Sequence, residues 1–249
     1  MKYFQSQLPA NLRCQAVLLG LSPGKILTDN PERPTWAAVW EAGDGILYLG
    51  GKLDSQLLER LIVELRRDGE VLVGFWNPDD PLINLLPTNY DWSGSSYDFL
   101  DRPLDGSGLE AYQRPLPAGY AIREIDQNLL EGCLWYEDTL RRFGGSEAFF
   151  ERGKGFCLLH QGEIISEAYA GSAVMGVREL GAITKPEQRG RGYATLVCAQ
   201  LVHACELAGE RTYWNCATTN LASVAVAHKL GYRTIKQFHW LAWSQLNMI

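Results

Sequence analysis

The residues best suited to chemistry in this 249-residue chain form a short stretch, Arg-Gly-Arg-Gly-Tyr-Ala, at positions 189–194. Two glycines alternate with two arginines, and an apolar run with helical spacing follows directly. A loop that turns into a helix in this way leaves the first backbone N–H groups unpaired, and the helix dipole adds positive potential there. Glycine also lets a bulky anion approach the backbone closely. The stretch therefore predicts a phosphate-binding helix N-terminus.

The overall composition narrows the class of protein. The net charge of −6 argues against a nucleic-acid partner held by a basic face. The sequence contains no apolar run long enough to span a membrane and no recognisable signal peptide, so we expect a cytoplasmic protein without a membrane partner. The six cysteines are scattered, mostly beside apolar residues, and show no Cys/His spacing of zinc type. They are interpreted as buried thiols, and no metal is expected.

The elements that must position the glycine-arginine stretch follow from hydrophobic periodicity in the second half of the chain. Three strand-like runs precede the stretch, and a helix, a strand, a second helix and a last strand follow it. This order does not alternate like a doubly wound nucleotide-binding fold, and the GxGxxG and P-loop patterns are absent. The predicted strands cover 120–125, 155–160, 163–171, 173–184, 211–216 and 232–243; the predicted helices cover 127–142, 146–150, 191–208 and 220–230, the last closed by Gly231.

The first half predicts a smaller α+β unit. A strand is expected over 12–20, a hairpin over 35–49, an amphipathic helix from Asp54 or Ser55 to Leu65, and a buried strand over 71–76. Residues 77–117 are rich in Gly, Pro, Ser and Asp, which is typical of a linker. The sequence therefore predicts domains at 1–117 and 118–249. Part of the linker should pack on a domain because it carries aromatic residues such as Tyr90, Trp92, Tyr97 and Phe99.

Two motifs resemble one known family. The stretch from Ile183 to Ala194 is similar to the acetyl-CoA signature of the Gcn5-related N-acetyltransferases, Arg/Gln-x-x-Gly-x-Gly/Ala, through Arg189, Gly192 and Ala194. Further along, Asn-Leu-Ala-Ser at 220–223 and His-Lys-Leu-Gly-Tyr at 228–232 resemble the family's Asn-x-x-Ser/Ala and Lys-Leu-Gly-Phe/Tyr elements. The resemblance covers about residues 120–249 and implies an α+β fold with a mixed, mainly antiparallel central sheet flanked by helices.

The first half resembles, more loosely, a subgroup of that family in which an additional N-terminal domain precedes the acetyltransferase domain; the zwittermicin A resistance protein belongs to it. The match lies in Arg-Pro-Thr-Trp-Ala-Ala at 33–38 and Leu-Tyr-Leu-Gly-Gly at 47–51. The subgroup is the reason to expect a small metabolite or antibiotic as the substrate.

The family resemblance implies how the cofactor is held. The pyrophosphate of coenzyme A would rest on backbone amides of the signature loop, and the pantetheine arm would pair with the end of the preceding strand. Asn220 and Ser223 would contact the arm or only cap their helix. Acetyl-CoA is thus the expected cosubstrate, with these cofactor-binding residues: Ile183, Thr184, Arg189, Gly190, Arg191, Gly192, Tyr193, Ala194, Asn220 and Ser223.

The resemblance also implies direct attack by an amine, which requires a base and an acid. Glu179, on the strand before the signature, is the candidate base; alternatively it faces solvent or pairs with Arg178. The family's usual acid is a tyrosine at the position that His228 occupies here. Histidine can donate a proton near neutral pH, or it can merely pack or cap. Water or Tyr232 could also assist the leaving thiolate.

The expected function is transfer of an acetyl group from acetyl-CoA to a primary amine of a small molecule in a ternary complex, with a homodimer possible. Two alternatives stay open at this point. The acceptor could be a protein or peptide amine, or the protein could be a non-catalytic acyl-CoA-binding module, because the expected tyrosine is missing.

Overall fold

The structure is a computed structural model that describes residues 2–4, 11–99, 102–106 and 108–246. In chain order the helices are α1 Leu12–Leu18, α2 Ser55–Leu65, α3 Gln127–Leu130, α4 Tyr136–Phe143, α5 Ser146–Arg152, α6 Tyr193–Leu207 and α7 Leu221–Lys229. The strands are β1 Gly24–Thr28, β2 Trp36–Glu41, β3 Ile46–Gly51, β4 Val71–Phe75, β5 Trp92–Phe99, β6 Tyr120–Glu124, β7 Lys154–His160, β8 Glu163–Ala170, β9 Val177–Thr184, β10 Arg211–Ala217 and β11 Thr234–Trp243.

The chain forms two compact units at positions that differ from the predicted domain boundary. The first unit contains residues 1–97 and 236–249, and the second contains residues 98–235. The chain passes from the first unit to the second within β5, inside the segment predicted to be a linker, and most of β11 belongs to the first unit.

The first unit has strands in the order β1-β2-β3-β4-β11-β5, with β1, β2 and β3 joined as antiparallel neighbours. Helix α2 covers one face and buries Leu58, Ile62 and Leu65 among the apolar residues of β2, β4 and β11. Asp54 caps α2 by accepting a hydrogen bond from the Leu57 N–H at 2.8 Å. Helix α1 covers part of the opposite face.

Residues 12–18 form helix α1, so the predicted strand over 12–20 is wrong. The buried positions are Leu12, Cys14, Ala16 and Val17. The first three alternate as in a strand, but all four together also fit one face of a helix. A run this short therefore does not distinguish the strand period from the helix period.

The second unit has strands in the order β5-β10-β9-β8-β7-β6. The pairs β6–β7, β7–β8 and β8–β9 are antiparallel, and β9–β10 is parallel. This is the mainly antiparallel α+β arrangement that was predicted. Helix α6 packs on β7, β8 and β9, whereas α3, α4 and α5 bury a separate apolar cluster that includes Leu130, Phe143 and Phe149. Helix α7 contacts α6 and β10.

The predicted helix over 127–142 is interrupted. Helix α3 ends at Leu130 and α4 begins at Tyr136, because the backbone N–H groups of Leu134 and Trp135 bond to the side chain of Glu167 at 2.7 and 2.8 Å. This partner lies more than 30 residues away in sequence, so local periodicity gives no sign of it.

Within the described residues, no helix combines the length and apolar character needed to cross a membrane. The six cysteines are free and buried, as predicted. The described residues include no group of three or more His, Cys, Asp or Glu side chains arranged to hold a metal ion, and the absence of a metal from the reaction stays a prediction.

Candidate functional site

The glycine-arginine stretch forms the loop and N-terminus of α6. Gly190 and Gly192 adopt φ values of 78° and 82°, and Gly192 is the N-cap residue. No side chain caps this end of the helix. The N–H groups of the first helical turn therefore have no partner inside the helix, and the helix dipole favours an anion there. No protein atom from outside the loop lies within 4 Å of a Cβ built on either glycine, so among the contacts within the protein only the backbone angle requires glycine.

A cavity of about 450 Å³ lies at this helix end. The end of β9, the loop before α6, the first turn of α6 and one face of α7 form its walls. A phosphate-bearing ligand with a long arm fits such a shape, because the loop offers N–H groups and the strand end offers an edge. The lining residues are Ala182, Ile183, Thr184, Gln188, Arg189, Gly190, Gly192, Tyr193, Ala194, Thr195, Trp214, Asn220, Ala222, Ser223, Ala225, Val226 and Lys229.

The strands β9 and β10 part beside the cavity. Their parallel ladder runs from Val177 and Arg211 to Leu180 and Trp214, although β9 continues to Thr184 and β10 to Ala217. On its other side β9 stays paired with β8 as far as Thr184. The edge of β9 that faces the opening can therefore accept an extended ligand as an additional strand.

Helix α7 is held by the residues that resemble the second motif. The Asn220 side chain caps the helix by accepting from the Ser223 N–H at 3.1 Å. The Ser223 hydroxyl accepts from the Trp214 indole N–H at 3.1 Å. At the other end Gly231 has φ 87° and the Tyr232 N–H bonds to the Ala227 carbonyl at 3.0 Å, which is the predicted glycine C-cap.

The structure brings nine of the ten predicted cofactor residues to the cavity wall. The exposed Arg191 is not among the lining residues. The Arg189 side chain folds back, and its Nε donates to the Thr184 carbonyl at 3.2 Å, which ties the loop to the end of β9. Ser166 fixes the same strand end through its hydroxyl contact of 2.8 Å with Thr184. The binding roles themselves stay predictions.

The two candidate acid–base residues do not line the cavity. Glu179 is half-buried on β9, level with Tyr213 of β10. The neighbouring Arg178 pairs with Glu210 through two contacts of 2.7 and 2.8 Å. The exposed His228 meets the Phe99 ring edge-on at 5.5 Å.

Tyr232, which the sequence offered as an alternative proton donor, is 1% exposed. Its hydroxyl bonds to Thr212, and burial raises the pKa of the phenol well above its usual value. It is not among the lining residues.

Sequence reasoning did not assign four of the polar or aromatic lining residues, Gln188, Thr195, Trp214 and Lys229. Lys229 belongs to the Lys-Leu-Gly motif, so its place in the motif was an available signal. Gln188 immediately precedes the signature. Trp214 gave no signal, because a tryptophan on a buried strand is ordinarily a core residue.

Glu167 is a 3% exposed carboxylate that organises the loop between α3 and α4. By accepting the N–H groups of Leu134 and Trp135 it holds this loop on β8. The Trp135 ring consequently lies against Gly181 of β9, where an added Cβ would come within 2.9 Å of it. Trp135 also meets Tyr169 edge-on at 5.1 Å. The loop thus places an aromatic wall beside the carboxyl-terminal half of β9.

Replacement of Glu167 by glutamine is expected to lower the free energy of unfolding by about 1–3 kcal/mol, because an amide NH₂ would meet one of the two backbone N–H donors. Burial raises the pKa of the Glu167 carboxyl, and the bonds from Leu134 and Trp135 only partly offset this. A raised folded-state pKa contributes stability at acid pH that is lost as the pH rises through it. Urea unfolding measured from acid to neutral pH should therefore show that the difference in unfolding free energy between the native protein and Glu167→Gln narrows as the pH rises.

The exposed Glu163 of the same strand provides the control. Glu163→Gln loses only an exposed ion pair with Lys185 at 3.2 Å and should change the unfolding free energy by less than about 1 kcal/mol. An unchanged stability in Glu167→Gln would show that the two backbone hydrogen bonds do not hold the loop.

Comparison with known proteins agrees with this fold. A family model described as GNAT acetyltransferase matches residues 2–241. The class of protein is therefore the GNAT acetyltransferases, which use acetyl-CoA. Because the match spans nearly the whole chain, this protein belongs to the GNAT acetyltransferase family.

Individual relatives are similar over different lengths. The "Uncharacterized N-acetyltransferase YdfB" of Bacillus subtilis (strain 168) is 27% identical over 128 residues, which is 49% of this chain and 48% of that protein. This chain thus matches about half the length of the curated relative. A GCN5-related N-acetyltransferase-like protein from Streptococcus suis 89/1591 is 25% identical with a TM-score of 0.77, over 97% of this chain and 96% of that one.

More distant structures share the fold alone. A GNAT-family acetyltransferase from Novosphingobium aromaticivorans DSM 12444 is 15% identical with a TM-score of 0.57, over 86% of this chain and 90% of that one. The resemblance of the first half to the zwittermicin A resistance subgroup stays a prediction.

Proposed function

We propose that this protein transfers an acetyl group from acetyl-CoA to a primary amine of a small molecule. The observation that carries the proposal is the cavity that joins the uncapped N-terminus of α6 to the open edge of β9. An anion site and an unpaired strand edge at one cavity suit the two ends of a pyrophosphate-linked pantetheine.

The chain's own groups define how the cosubstrate would be held. Backbone N–H groups at 190–194 would bind the pyrophosphate, with Tyr193, Asn220, Ser223 and Lys229 around the arm. The edge of β9 at Ile183 and Thr184 would pair with the amides of the arm, and a backbone N–H there would polarise the acetyl carbonyl. Acetyl-CoA supplies the activated acetyl group; no covalent intermediate on the protein is required.

Glu179 is proposed as the base. It points to the face of the sheet opposite α6 and α7, because it has the same orientation as Gly181 and Ile183, whereas Ala182 and Thr184 alternate to the other face. An amine approaching from that face would meet the carboxylate before it reaches the opening between β9 and β10. A half-buried carboxylate can take up the amine proton directly or through one water molecule.

His228 stays the predicted acid for the leaving thiolate, on the sequence argument alone, because its side chain lies outside the cavity wall. If it donates the proton, His228→Phe lowers kcat about ten-fold or more while the affinity for acetyl-CoA is unchanged. Steady-state kinetics with the best amine of a panel measures this. An unchanged kcat would show that the leaving thiolate takes its proton from solvent and not from His228.

The decisive experiment for the function has two parts. Calorimetric titration with acetyl-CoA should give binding at micromolar to millimolar concentration, and the absence of binding would refute the cofactor assignment. Release of free coenzyme A thiol should then be followed over a panel of small amines and amine-bearing peptides. Tight binding with no amine above background would leave an acyl-CoA-binding module, and turnover of peptides alone would favour a protein acceptor.

A further inference from the structure

The face of the second unit that carries Glu179 also carries a polar group next to the strand opening. Tyr213 is level with Glu179 in the parallel ladder, so both side chains point to the same face. Two residues further along, Asn215 follows Tyr213 on that face, opposite Gly181. Asn215 is the first residue of β10 beyond the last ladder pair, Leu180 and Trp214. It therefore stands at the mouth of the opening, on the side away from the cavity wall.

The amide of Asn215 is fixed in one orientation. Its Nδ2 donates to Asp98 Oδ1 at 2.7 Å and lies 3.3 Å from the Tyr213 hydroxyl oxygen. The Tyr213 hydroxyl donates to the same Asp98 oxygen. Asp98 and Tyr213 are 4% and 5% exposed, so the hydrogen bonds that fix the Asn215 amide lie in the core between β5 and β10. A carboxylate accepts only from the NH₂ side of an amide, which excludes the flipped arrangement.

These hydrogen bonds use only the NH₂ group of Asn215 and leave its Oδ1 atom available as an acceptor. Among the residues that the structure describes, none donates a hydrogen bond to Asn215 Oδ1, and the side chain is half-buried. A partly desolvated carbonyl oxygen without a protein donor is suited to a donor from a ligand. Opposite it, the absence of a side chain at Gly181 leaves the Trp135 ring as the adjacent wall.

We propose that Asn215 positions the acceptor, its Oδ1 accepting one N–H of the amine while Glu179 receives the proton that is lost. This assignment rests on the proposed function. The acceptor it fits is an unhindered primary amine on a carbon chain, because Trp135 and Tyr169 offer an apolar wall and the amine must keep one N–H for Asn215 after losing its proton. A secondary amine would lose that N–H on acylation.

A neutral amide is better suited to this position than a second carboxylate. A carboxylate beside the amine would stabilise the ammonium form, which has no lone pair for attack. An amide oxygen accepts an N–H from the neutral amine without that penalty. Asp98 supplies orientation but, being buried and bonded to Tyr213 and Asn215, does not itself face the amine.

The test compares Asn215→Ala with the native protein and with Asn128→Ala, an exposed asparagine of α3. The probes are tyramine and 1,4-diaminobutane, each with acetyl-CoA. In Asn215→Ala the KM for the amine should rise about ten-fold, as loss of one hydrogen bond of this kind implies, with the dissociation constant of acetyl-CoA unchanged. Asn128→Ala should match the native protein. Equal KM values for the amines in all three proteins would overturn the proposal while leaving the function intact.

A measurement without turnover separates the two proposals. The Asn215 side-chain NH₂ signals in a ¹H–¹⁵N spectrum can be assigned by their loss in Asn215→Ala. With unreactive coenzyme A bound, each amine titrated into the native protein should shift these signals. Failure of coenzyme A to bind refutes the proposed function. Bound coenzyme A with no shift from either amine refutes the role of Asn215, and a melting temperature of Asn215→Ala equal to that of the native protein excludes misfolding as the cause of its kinetics.

Discussion

Glu179→Gln is expected to lower kcat by about 10²- to 10⁴-fold, the range typical of a lost general base. Glutamine keeps the size of the side chain but cannot take up the amine proton. The affinity for acetyl-CoA should be unchanged, because Glu179 lies outside the wall of the cavity. Stopped assays of coenzyme A release between acid and alkaline pH measure both the drop and its pH dependence.

The control is Glu124→Gln, an exposed carboxylate on β6. It should behave like the native protein at every pH. A Glu179→Gln protein with native kcat would show that the amine loses its proton to solvent, and Glu179 would then have no acid–base role. A parallel loss of acetyl-CoA affinity would instead indicate a distorted β9.

Gly192→Val should raise the dissociation constant of acetyl-CoA about ten-fold or more. Gly192 holds φ at 82°, and an L-residue there costs about 1–2 kcal/mol, more when it is β-branched. The loop can relieve this strain by rotating away from the left-handed region, which would turn the N–H groups of Tyr193 and Ala194 from the cavity. Since 1.4 kcal/mol corresponds to ten-fold in affinity, the expected change is well within the reach of calorimetry.

The same helix offers a matched control at its other end. Gly209 has φ 73° and, like Gly192, has no heavy atom within 4 Å of a Cβ built on it. Gly209→Val should therefore lose similar stability yet bind acetyl-CoA with native affinity. Equal affinity in both variants would contradict the assignment of the α6 N-terminus as the pyrophosphate site.

The second unit was predictable from sequence because its elements are long and its motifs are local. The runs that became β7, β8, α6 and α7 each carry their own periodicity and end signals, such as Gly231 at the end of α7. What could not be predicted depends on distant partners. The break between α3 and α4 is set by Glu167, and the short α1 by packing on β2.

Strand β5 shows the limit most clearly. Its residues 93–96 read Ser-Gly-Ser-Ser, a composition typical of a loop. In the structure Gly94 is required because an added Cβ would lie 2.2 Å from the Trp240 ring, and Ser96 accepts from the Trp240 indole N–H at 3.2 Å. The small residues accommodate a tryptophan almost 150 positions away. The small residues of β5 were the reason for predicting a linker and a domain boundary at 117. Their contact with Trp240 explains why they are small.

At the site, the sequence predicted the loop that is proposed to hold acetyl-CoA but not the residues that are proposed to position the acceptor amine. The signature residues are contiguous, so a motif can contain them. Asn215 and Asp98 lie 117 positions apart and meet only because β5 and β10 are neighbours. No local pattern marks such a pair.

The six buried thiols make the folded chain nearly silent toward thiol reagents. Burial raises the pKa of Cys14 to about 12 and of Cys157 to about 11, so almost no reactive thiolate is present at neutral pH. A disulfide-based dye that detects released coenzyme A would therefore report product with little contribution from the enzyme. The same dye also measures the rate of local unfolding, because each cysteine reacts only when the structure around it unfolds. Cys198 and Cys205, both within α6, would report how often the helix that carries the anion site leaves its place on the sheet.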